Sequence, residues 1–531
     1  MHSETRLFVR KTSGLVRTIG WFGALSFGVA CISLSSSGLI PYAWVPSLWP
    51  GSSIIGVLTI AMILCLFHAY TYSSIGAAMP RSGADYALAS RVIHPVPAFM
   101  GSWTLVIMSA LVSGSLIAWI PSSVLSSFLW SWGTMFGSQT ALLWSQTVTR
   151  GEWVLIIGTL CVAITYVCML LPTKRIVAIM QWGVILGLAA WAAIYFALGS
   201  TSDPSAFQAA WDKFMGAGSY AKVIPTAEAQ GMQFSSSTAT MTMAGLIMGF
   251  WIFYGYYIPT FFAGELKNAP QTLLISSWGS LILTWAVFVV GAILLERLVP
   301  LKWLAAEGYI FYNAPDALHA LPFITFYAGI LKPSMLVNGI IFIGFVYTLI
   351  NLAMSYFFYC SRIIFAWAFD RILPEKVAYV NPKTGAPVVA ITIIALISEL
   401  GVYLSQTTTI FVQINFVLFA AVVQTVPVLA AIIYPYVKRE LWETGPSLVT
   451  RKVAGIPLMT IVGVITLAYL LWMIVASFLF PAVGGHVSAG TLTTLGLLLL
   501  SGLVVFYIAR WYRLQKEGMD ILMTFKSIPP V

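Results

Sequence analysis

The sequence predicts an all-α polytopic membrane protein with about twelve transmembrane helices. Of its 531 residues, 59% are hydrophobic and only 8% are charged, and the mean hydropathy is +0.91. Soluble domains carry about 25% charged residues, so most of this surface must face lipid. The long runs are apolar on every side, whereas the strands of a membrane barrel alternate between apolar and polar residues. Helices are therefore predicted.

Twelve apolar runs are long enough to cross a bilayer, which takes about 20 residues per helix. An even number of crossings places both chain ends on one side. The predicted spans 1 to 12 are 19–47, 53–78, 96–128, 152–171, 176–198, 239–264, 274–299, 334–360, 386–406, 409–435, 455–480 and 490–511.

The basic residues set the predicted orientation. Of 27 Lys and Arg residues, 21 fall in the two terminal tails and in the loops on the same side as the tails. The positive-inside rule then predicts that both termini are cytoplasmic. The lack of long tails is typical of proteins of a prokaryotic plasma membrane, which is the location predicted. The placement of the basic residues also explains the net charge of +10, so a nucleic-acid partner is not needed. The tail 1–18 lacks the layout of a cleavable signal peptide.

Two loops on the opposite side, about 200–237 and 300–332, are long and contain Pro, Gly and aromatic residues. We predict short surface helices in both, which form either a lid over a pathway or a passive cover. The cysteines fall within apolar runs, so packing is predicted for them and disulfides are not. They are Cys31, Cys65, Cys161, Cys168 and Cys360.

Spans 1 and 6 are predicted to be interrupted helices. Span 1 holds two Gly and four Ser within 28–38 and then Pro41, and span 6 holds 249–255 (GFWIFYG) and then Pro259. Clustered Ser, Gly and Pro weaken a helix, and lipid cannot satisfy the freed backbone groups. Matching interruptions in two halves of a chain point to a transporter's binding site. The alternative is that the small residues let helices pack closely.

Three segments resemble signatures of the amino acid–polyamine–organocation permeases. Segment 79–86 (MPRSGADY) follows span 2, segment 263–270 (AGELKNAP) ends span 6, and segment 361–370 (SRIIFAWAFD) follows span 8. The resemblance implies a five-plus-five inverted-repeat fold with two extra helices, in which spans 1, 2, 6 and 7 rock against spans 3, 4, 8 and 9. It divides the chain into 1–18 (tail), 19–198 (first repeat), 199–238 (outer loop), 239–435 (second repeat), 436–454 (cytoplasmic loop), 455–511 (spans 11–12) and 512–531 (tail).

The resemblance also implies a substrate site at the two interruptions. In span 1 the nearest counterpart of the family's break is 31–33, and in span 6 the aromatic run around Trp251 matches it. Some relatives carry an acidic residue where this chain has Tyr257, so a substrate recognised through that carboxylate is disfavoured. The predicted substrate-binding residues are Cys31, Ile32, Ser33, Ser35, Trp251, Phe253, Tyr254 and Gly255.

The coupling ion is left open among a proton, sodium and none. His68 and Glu399 are ionisable groups within apolar runs. His68 is either a proton carrier or a neutral group bonded to a neighbouring helix. Glu399 either carries a proton or lies near the outer end of its span and reaches the interface. A sodium site would need carbonyls near Gly28 with Asn351 or Ser355, although Asn and Ser also join helices as structural bonds. No Lys lies inside span 5, the position that some proton-coupled relatives use.

An inner-gate loop is predicted from Arg81, Asp85 and Glu265. Arg81 and Asp85 are expected to join a charged network with Glu265 or Asp370 as partners, and this network could latch the cytoplasmic side shut. The alternative is that these residues are exposed charges that only set the topology.

The function predicted is secondary active transport of an amino acid or a related amine. The chain has no phosphate-binding loop, no paired metal-ligand spacing and no nucleophile elbow, so an enzyme is disfavoured and no cofactor or metal is expected. Paired breaks favour an occluded site over a channel. The alternative is a transporter-like substrate sensor, or a subunit of a larger complex, without flux of its own.

Overall fold

The computed structural model describes residues 17–318, 321–408, 415–480 and 487–527. Within these ranges, eleven helical segments are long and apolar enough to cross a membrane. Predicted span 6 is not among them because its helix has only 16 residues before it breaks. The all-α polytopic fold is confirmed. Predicted tail residues Arg6, Arg10 and Lys11 and the predicted start of span 10 at 409 lie outside the described residues.

The spans keep their predicted order. They are Trp21–Leu48 (Trp21–Ile32, Ser33–Ser37 and Gly38–Leu48), Ile54–Ala78, Pro95–Phe136 (Pro95–Trp119, Ile120–Leu125 and Ser126–Phe136), Gly151–Met169, Thr173–Gly199, Thr238–Phe253, Ala269–Glu296, Met335–Phe369, Val388–Thr407, Phe416–Val437, Leu458–Leu479 and Ala489–Glu517.

Short elements join the spans. The helices are Ala84–Val92, Gln139–Thr147, Pro204–Met215, Ser219–Ala229, Leu301–Asn313, Ile324–Leu331, Arg439–Glu443 and Ser447–Thr450. Single 3-10 turns lie at Ile258–Phe261, Ala263–Glu265, Glu375–Ala378 and Ile521–Lys526, and the strands Lys452–Val453 and Ile456–Pro457 pair antiparallel.

Spans 3 and 8 extend further past their predicted ends than the other spans do. Span 3 continues through a π-helical turn at Ile120–Leu125 to Phe136, beyond the predicted end at 128. Span 8 continues to Phe369, beyond the predicted end at 360. The extension of span 8 contains Arg362, which the prediction counts as a loop charge. The helix can include it because its guanidinium is buried against a carboxylate.

The spans contact one another in two groups. Spans 1 and 2 pack on span 7, and span 2 packs on span 6, whereas spans 3 and 4 pack on spans 8 and 9. The contacts repeat when each span is replaced by the one five places away in the other half of the chain. Spans 1 and 7 are in contact, and so are spans 6 and 2. In the same way, the contact of spans 3 and 9 corresponds to that of spans 8 and 4, and the contact of spans 5 and 8 corresponds to that of spans 10 and 3. The predicted repeat division would produce such a pattern.

We call the side that holds residue 17, the end of span 6 and the C-terminal 3-10 turn the basic face. Backbone amides of Thr18 and Ile19 donate to the carbonyl of Glu265, and the Arg91 guanidinium stacks over Phe525. These contacts place both described chain ends on one side, as an even number of crossings requires.

The two long loops on the opposite face form short helices, as predicted. They are Pro204–Met215, Ser219–Ala229, Leu301–Asn313 and Ile324–Leu331. Their aromatic residues cluster: the rings of Trp211 and Trp303 lie 4.8 Å apart, and Trp303 Nε1 donates to the carbonyl of Tyr220. A Cβ on Gly308 would lie 2.6 Å from the carbonyl oxygen of Ala43, so the third helix sits directly on the outer half of span 1. This arrangement is a close-packed cover.

Candidate substrate site between the broken helices

The helix of span 1 breaks at Ser33. Its first part ends at Ile32, Ser33 has a φ of +68°, and a π-helical turn leads into the second part at Gly38. A positive φ is strained for a residue with a Cβ, so local bonds must hold it. The Ser33 hydroxyl accepts a hydrogen bond from the amide of Ser36 at 3.2 Å and lies 3.0 Å from the Ser35 hydroxyl.

The helix of span 6 breaks two residues after Trp251. It ends at Phe253, and the chain turns through Gly255 at a φ of +127° before the 3-10 turn that starts at Ile258. A Cβ on Gly255 would lie 2.6 Å from the Cβ of Cys31. Glycine is therefore required both by the backbone angle and by the close approach of span 1. The two predicted breaks face each other.

A cavity of about 330 Å³ lies beside this contact. Four predicted residues line it: Cys31, Ile32, Trp251 and Tyr254. Seven further lining residues were not predicted. They are Ser36, Ser37, Ile40, Leu116, Leu352, Tyr356 and Phe416.

Four predicted residues do not line the cavity. Ser33 and Ser35 form hydrogen bonds within the π-helical turn. Gly255 lets the chain of span 6 pass close to Cys31 of span 1. Phe253 stacks on Phe288 of span 7, with ring centres 6.3 Å apart, because it points to the other side of the helix end.

Phe416 of span 10 closes the cavity against span 6. Its ring centre lies 4.9 Å from that of Trp251 and 4.6 Å from that of Tyr254, both in edge-to-face geometry. Trp251 is nearer to the opposite face than Tyr254, because span 6 runs towards the basic face. Leu116 of span 3, and Leu352 and Tyr356 of span 8, complete the wall. Their sequence gives no local signal for this role, since each lies within an ordinary apolar run.

The cavity is apolar with a few neutral polar groups. Its polar side chains are the hydroxyls of Ser36, Ser37, Tyr254 and Tyr356 and the thiol of Cys31. The Tyr254 hydroxyl is buried and has no hydrogen-bond partner among the described residues. No charged side chain lines the cavity in the described part of the chain.

The predicted sodium ligands are engaged in helix contacts. The Ser355 hydroxyl donates to the carbonyl of Phe27 at 3.2 Å. The Asn351 amide donates to the carbonyls of Ile179 and Met180 in span 5 at 3.3 and 3.4 Å. A Cβ on Gly28 would lie 2.6 Å from the Ser280 hydroxyl, so Gly28 serves close packing with span 7. The two side chains therefore bond to different neighbouring spans.

His68 is fully buried and both ring nitrogens have partners. Nδ1 lies 2.9 Å from the Tyr256 hydroxyl and Nε2 lies 3.0 Å from Oε1 of Gln424. The Gln424 amide in turn donates to the Tyr257 hydroxyl at 2.5 Å. A neutral ring with its proton on Nε2 satisfies every group in this chain, which supports the structural interpretation of His68.

Glu399 lies apart from the cavity. It is half-buried in span 9 and accepts a hydrogen bond from the Thr159 hydroxyl of span 4 at 2.6 Å. This contact joins span 4 to span 9.

On the basic face, Glu265 pairs with Arg362 of span 8 instead of Arg81. Arg362 donates to both carboxylate oxygens, at 2.8 and 3.2 Å, and stacks over Phe358. The amide of Lys267 also donates to the carbonyl of Ile19. The end of span 6, the start of span 1 and span 8 are thus tied together, and we call this set of contacts the basic-face latch.

The other predicted gate residues lie next to the latch. Asp370 pairs with Arg91, with two hydrogen bonds of 2.7 and 2.8 Å. Arg81 donates to the carbonyl of Pro80. Asp85 is buried at the start of the helix Ala84–Val92, and burial raises the pKa of its carboxyl to about 7.

Two broken helices that meet at an enclosed cavity, within a multi-pass membrane fold, define a transporter-type architecture. The chain belongs to the amino acid permease family, whose model matches residues 19–503. It is also similar to the "Branched-chain amino acid permease BcaP" of Bacillus subtilis (strain 168), with 24% identity over 394 residues that cover 72% of this chain and 74% of that protein.

Proposed function

We propose that this protein carries amino acids across the plasma membrane by alternating access, with spans 1, 2, 6 and 7 moving against spans 3, 4, 8 and 9. The observation that carries this proposal is the cavity at the facing breaks, which takes residues from both groups of spans. Family membership supports an amino acid as the substrate.

The substrate that fits best is a neutral amino acid with an apolar side chain. Ile32, Ile40, Leu116, Leu352 and Phe416 supply apolar walls. The charges of a zwitterion would meet backbone groups freed at the two breaks: amides at the start of a helix attract a carboxylate, and carbonyls at the end of a helix attract an ammonium group. The similar Bacillus protein is described as a branched-chain amino acid permease, which agrees with these walls.

The basic face is the cytoplasmic face in this proposal, as the positive-inside rule requires. The latch then closes the cytoplasmic side, and transport requires that it open. The five-span shift in the contacts supports two inverted repeats, 19–198 and 239–435, each of which contributes spans to both of the groups that move.

The test is uptake of radiolabelled leucine, isoleucine and valine into proteoliposomes, with glutamate, lysine and putrescine for comparison. Leu352→Trp fills the cavity and is expected to abolish uptake. Leu160→Trp, at a position 59% exposed on the lipid side of span 4, is the matched control and is expected to retain it. Equal uptake by both variants would contradict this site. A ligand-induced rise in melting temperature without flux would indicate a sensor instead.

A further inference from the structure

A second cavity of about 280 Å³ lies on the basic-face side of the first, among span 2, the helix Ala84–Val92, span 3 and span 10. Its polar lining comes from Tyr72, Asp85, Tyr86, Ser102 and Gln424. The hydroxyls of Tyr72 and Tyr86 are buried and have no hydrogen-bond partner among the described residues. Buried hydroxyls without partners are costly, so this cavity is built for a polar occupant or a changing hydrogen-bond state.

Asp85 is the acidic group of this cavity. Its side chain is buried, and one carboxylate oxygen accepts a hydrogen bond from the amide of Tyr86 at 2.6 Å. No Lys or Arg of the described ranges forms an ion pair with it, because Arg91 pairs with Asp370 and Arg362 pairs with Glu265. A buried carboxyl without a cation favours its neutral form.

The Arg91–Asp370 ion pair lies beside Tyr86, which lines the same cavity as Asp85. The helix that holds Asp85 packs against spans 2, 3 and 10, the 3-10 turn Ile258–Phe261 and the C-terminal turn Ile521–Lys526. Span 2 contributes the titratable groups Tyr72 and, one turn away, His68, while the lining residues of spans 3 and 10 include none. The C-terminal turn contributes exposed Lys526, and Tyr257 precedes the 3-10 turn.

Contacts between side chains link this cavity to the substrate cavity. Gln424 lines the second cavity and donates to the Tyr257 hydroxyl at 2.5 Å. The Tyr257 ring lies 5.4 Å from that of Tyr254, which lines the substrate cavity. The two cavities are therefore separated only by side chains of the span 6 break and span 10.

The segment before Asp85 is attached to the moving end of span 6. The amide of Gly83 donates to the carbonyl of Phe261 at 2.7 Å, and Ser82 forms a β-bridge with Phe262. The latch residue Glu265 follows three residues later. Release of the latch would shift this segment and expose Asp85 to water from the basic face.

We propose that Asp85 is the proton-binding site through which this carrier couples amino acid import to proton entry. The inference rests on the proposed transport function. With the latch closed, the carboxyl is buried and holds a proton on one oxygen. When the latch opens, water stabilises the carboxylate, the O–H bond breaks, and the proton passes to the cytoplasmic solvent. After the latch closes and the substrate cavity opens to the opposite face, the carboxylate takes up a new proton from that side, past the side chains that separate the two cavities, so each cycle carries one proton inward. Because proton affinity differs between the two states, a proton gradient shifts their populations.

The raised pKa agrees with this role. Burial raises the pKa of the Asp85 carboxyl to about 7 in the closed arrangement, although the backbone hydrogen bonds at its helix start act in the opposite direction. A proton site must be occupied in one state and empty in the other near neutral pH. A solvated aspartate, at about 3.9, is empty under these conditions.

The experiment compares two assays in proteoliposomes. Accumulation is driven by an inward gradient of one pH unit, which supports about tenfold accumulation at one proton per substrate. Counterflow exchanges external labelled leucine for internal unlabelled leucine and needs no net proton movement. The variants are Asp85→Asn, Asp85→Glu and the control Glu443→Gln, which removes an exposed carboxylate paired with Arg439 on the same face.

We expect Asp85→Asn to lose gradient-driven accumulation while its counterflow stays within about twofold of wild type. Asp85→Glu restores part of the accumulation, and Glu443→Gln retains all of it. The proposal is overturned if Asp85→Asn accumulates normally, if it loses counterflow as well, or if wild-type accumulation ignores the pH gradient. Absence of both accumulation and counterflow in wild type would instead refute the transport function itself.

Discussion

The Glu265 carboxylate and the Arg362 guanidinium form a two-bond pair of 2.8 and 3.2 Å, with 2% and 1% of their side chains exposed. Glu265 belongs to the end of span 6 and Arg362 to span 8. The pair therefore joins the two groups of spans that move against each other in the proposed transport cycle. Phe358 packs over the guanidinium at 3.5 Å, so the pair is shielded as well as bonded.

Arg362→Ala is expected to open the basic-face latch. Removal of one partner from a buried ion pair costs about 3–5 kcal/mol because the other charge is left uncompensated. The closed arrangement should then be less populated, and Cys31, 3% exposed in the structure, should react faster with a maleimide added from the basic face. The measurement uses a background in which the other cysteines are Ser: Cys65, Cys161, Cys168 and Cys360.

The exchanged pair Glu265→Arg with Arg362→Glu provides the control. It should slow the labelling of Cys31 towards the wild-type rate, since it restores opposite charges at the same positions. Unchanged labelling in Arg362→Ala would show that the pair does not hold this side closed.

Gly255→Ala is expected to abolish uptake. The glycine has a φ of +127°, and an added Cβ would lie 2.6 Å from that of Cys31. Backbone strain of about 1–3 kcal/mol would push the two breaks apart and distort the cavity. Gly496→Ala is the matched control, because a Cβ there meets no atom within 4 Å. Normal leucine uptake by Gly255→Ala would disprove the need for this close approach.

Phe416→Ala is expected to enlarge the cavity and change substrate preference. It removes two edge-to-face contacts, with Trp251 and Tyr254, each contributing about 0.5–1.5 kcal/mol. The KM for leucine should rise about tenfold, while that for phenylalanine should fall relative to it. Phe478→Ala is the matched control, because it removes a phenylalanine that is 49% exposed on span 11, and it should leave both KM values unchanged. An unchanged ratio of the two KM values would place the substrate elsewhere.

Composition and local pattern were enough to predict the fold class, the two breaks and the presence of short helices in the outer loops. A helix that crosses lipid must be apolar over its whole length, and a break needs Gly, Ser or Pro, so both leave a local signal. The resemblance to the permease family added the residues of the breaks, of which Cys31, Ile32, Trp251 and Tyr254 line the cavity.

The remaining cavity residues depend on packing between distant spans. Phe416 and Leu116 come from spans 10 and 3, and nothing in their own segments separates a residue that faces the cavity from one that faces lipid. Arg362 was assigned to a loop because a charge normally ends an apolar run. Its partner Glu265 is 97 positions away in the chain, so only the tertiary structure shows why span 8 continues past it.

Glu307 gives a pH-dependent prediction for the cover on the opposite face. It is fully buried in the helix Leu301–Asn313, and one oxygen accepts a hydrogen bond from the amide of Leu321 at 2.6 Å. The other oxygen is buried without a partner among the described residues. Burial raises the pKa of this carboxyl from 4.5 to about 8, and the backbone hydrogen bond only partly opposes the shift.

The folded protein therefore holds this proton more tightly than the unfolded chain. Its contribution to stability is fully present below about pH 4.5 and is lost as the pH rises to about 8, at a rate of about 1.4 kcal/mol per pH unit. Glu307→Gln keeps a neutral oxygen for Leu321 and cannot ionise. The melting temperatures of the two proteins should agree near pH 5, and the variant should melt higher at pH 8. Asp85 titrates in both proteins, so its effect cancels in the difference. If the difference between the two melting temperatures does not change from pH 5 to pH 8, Glu307 is ionised in the folded protein and the cover opens to water around it.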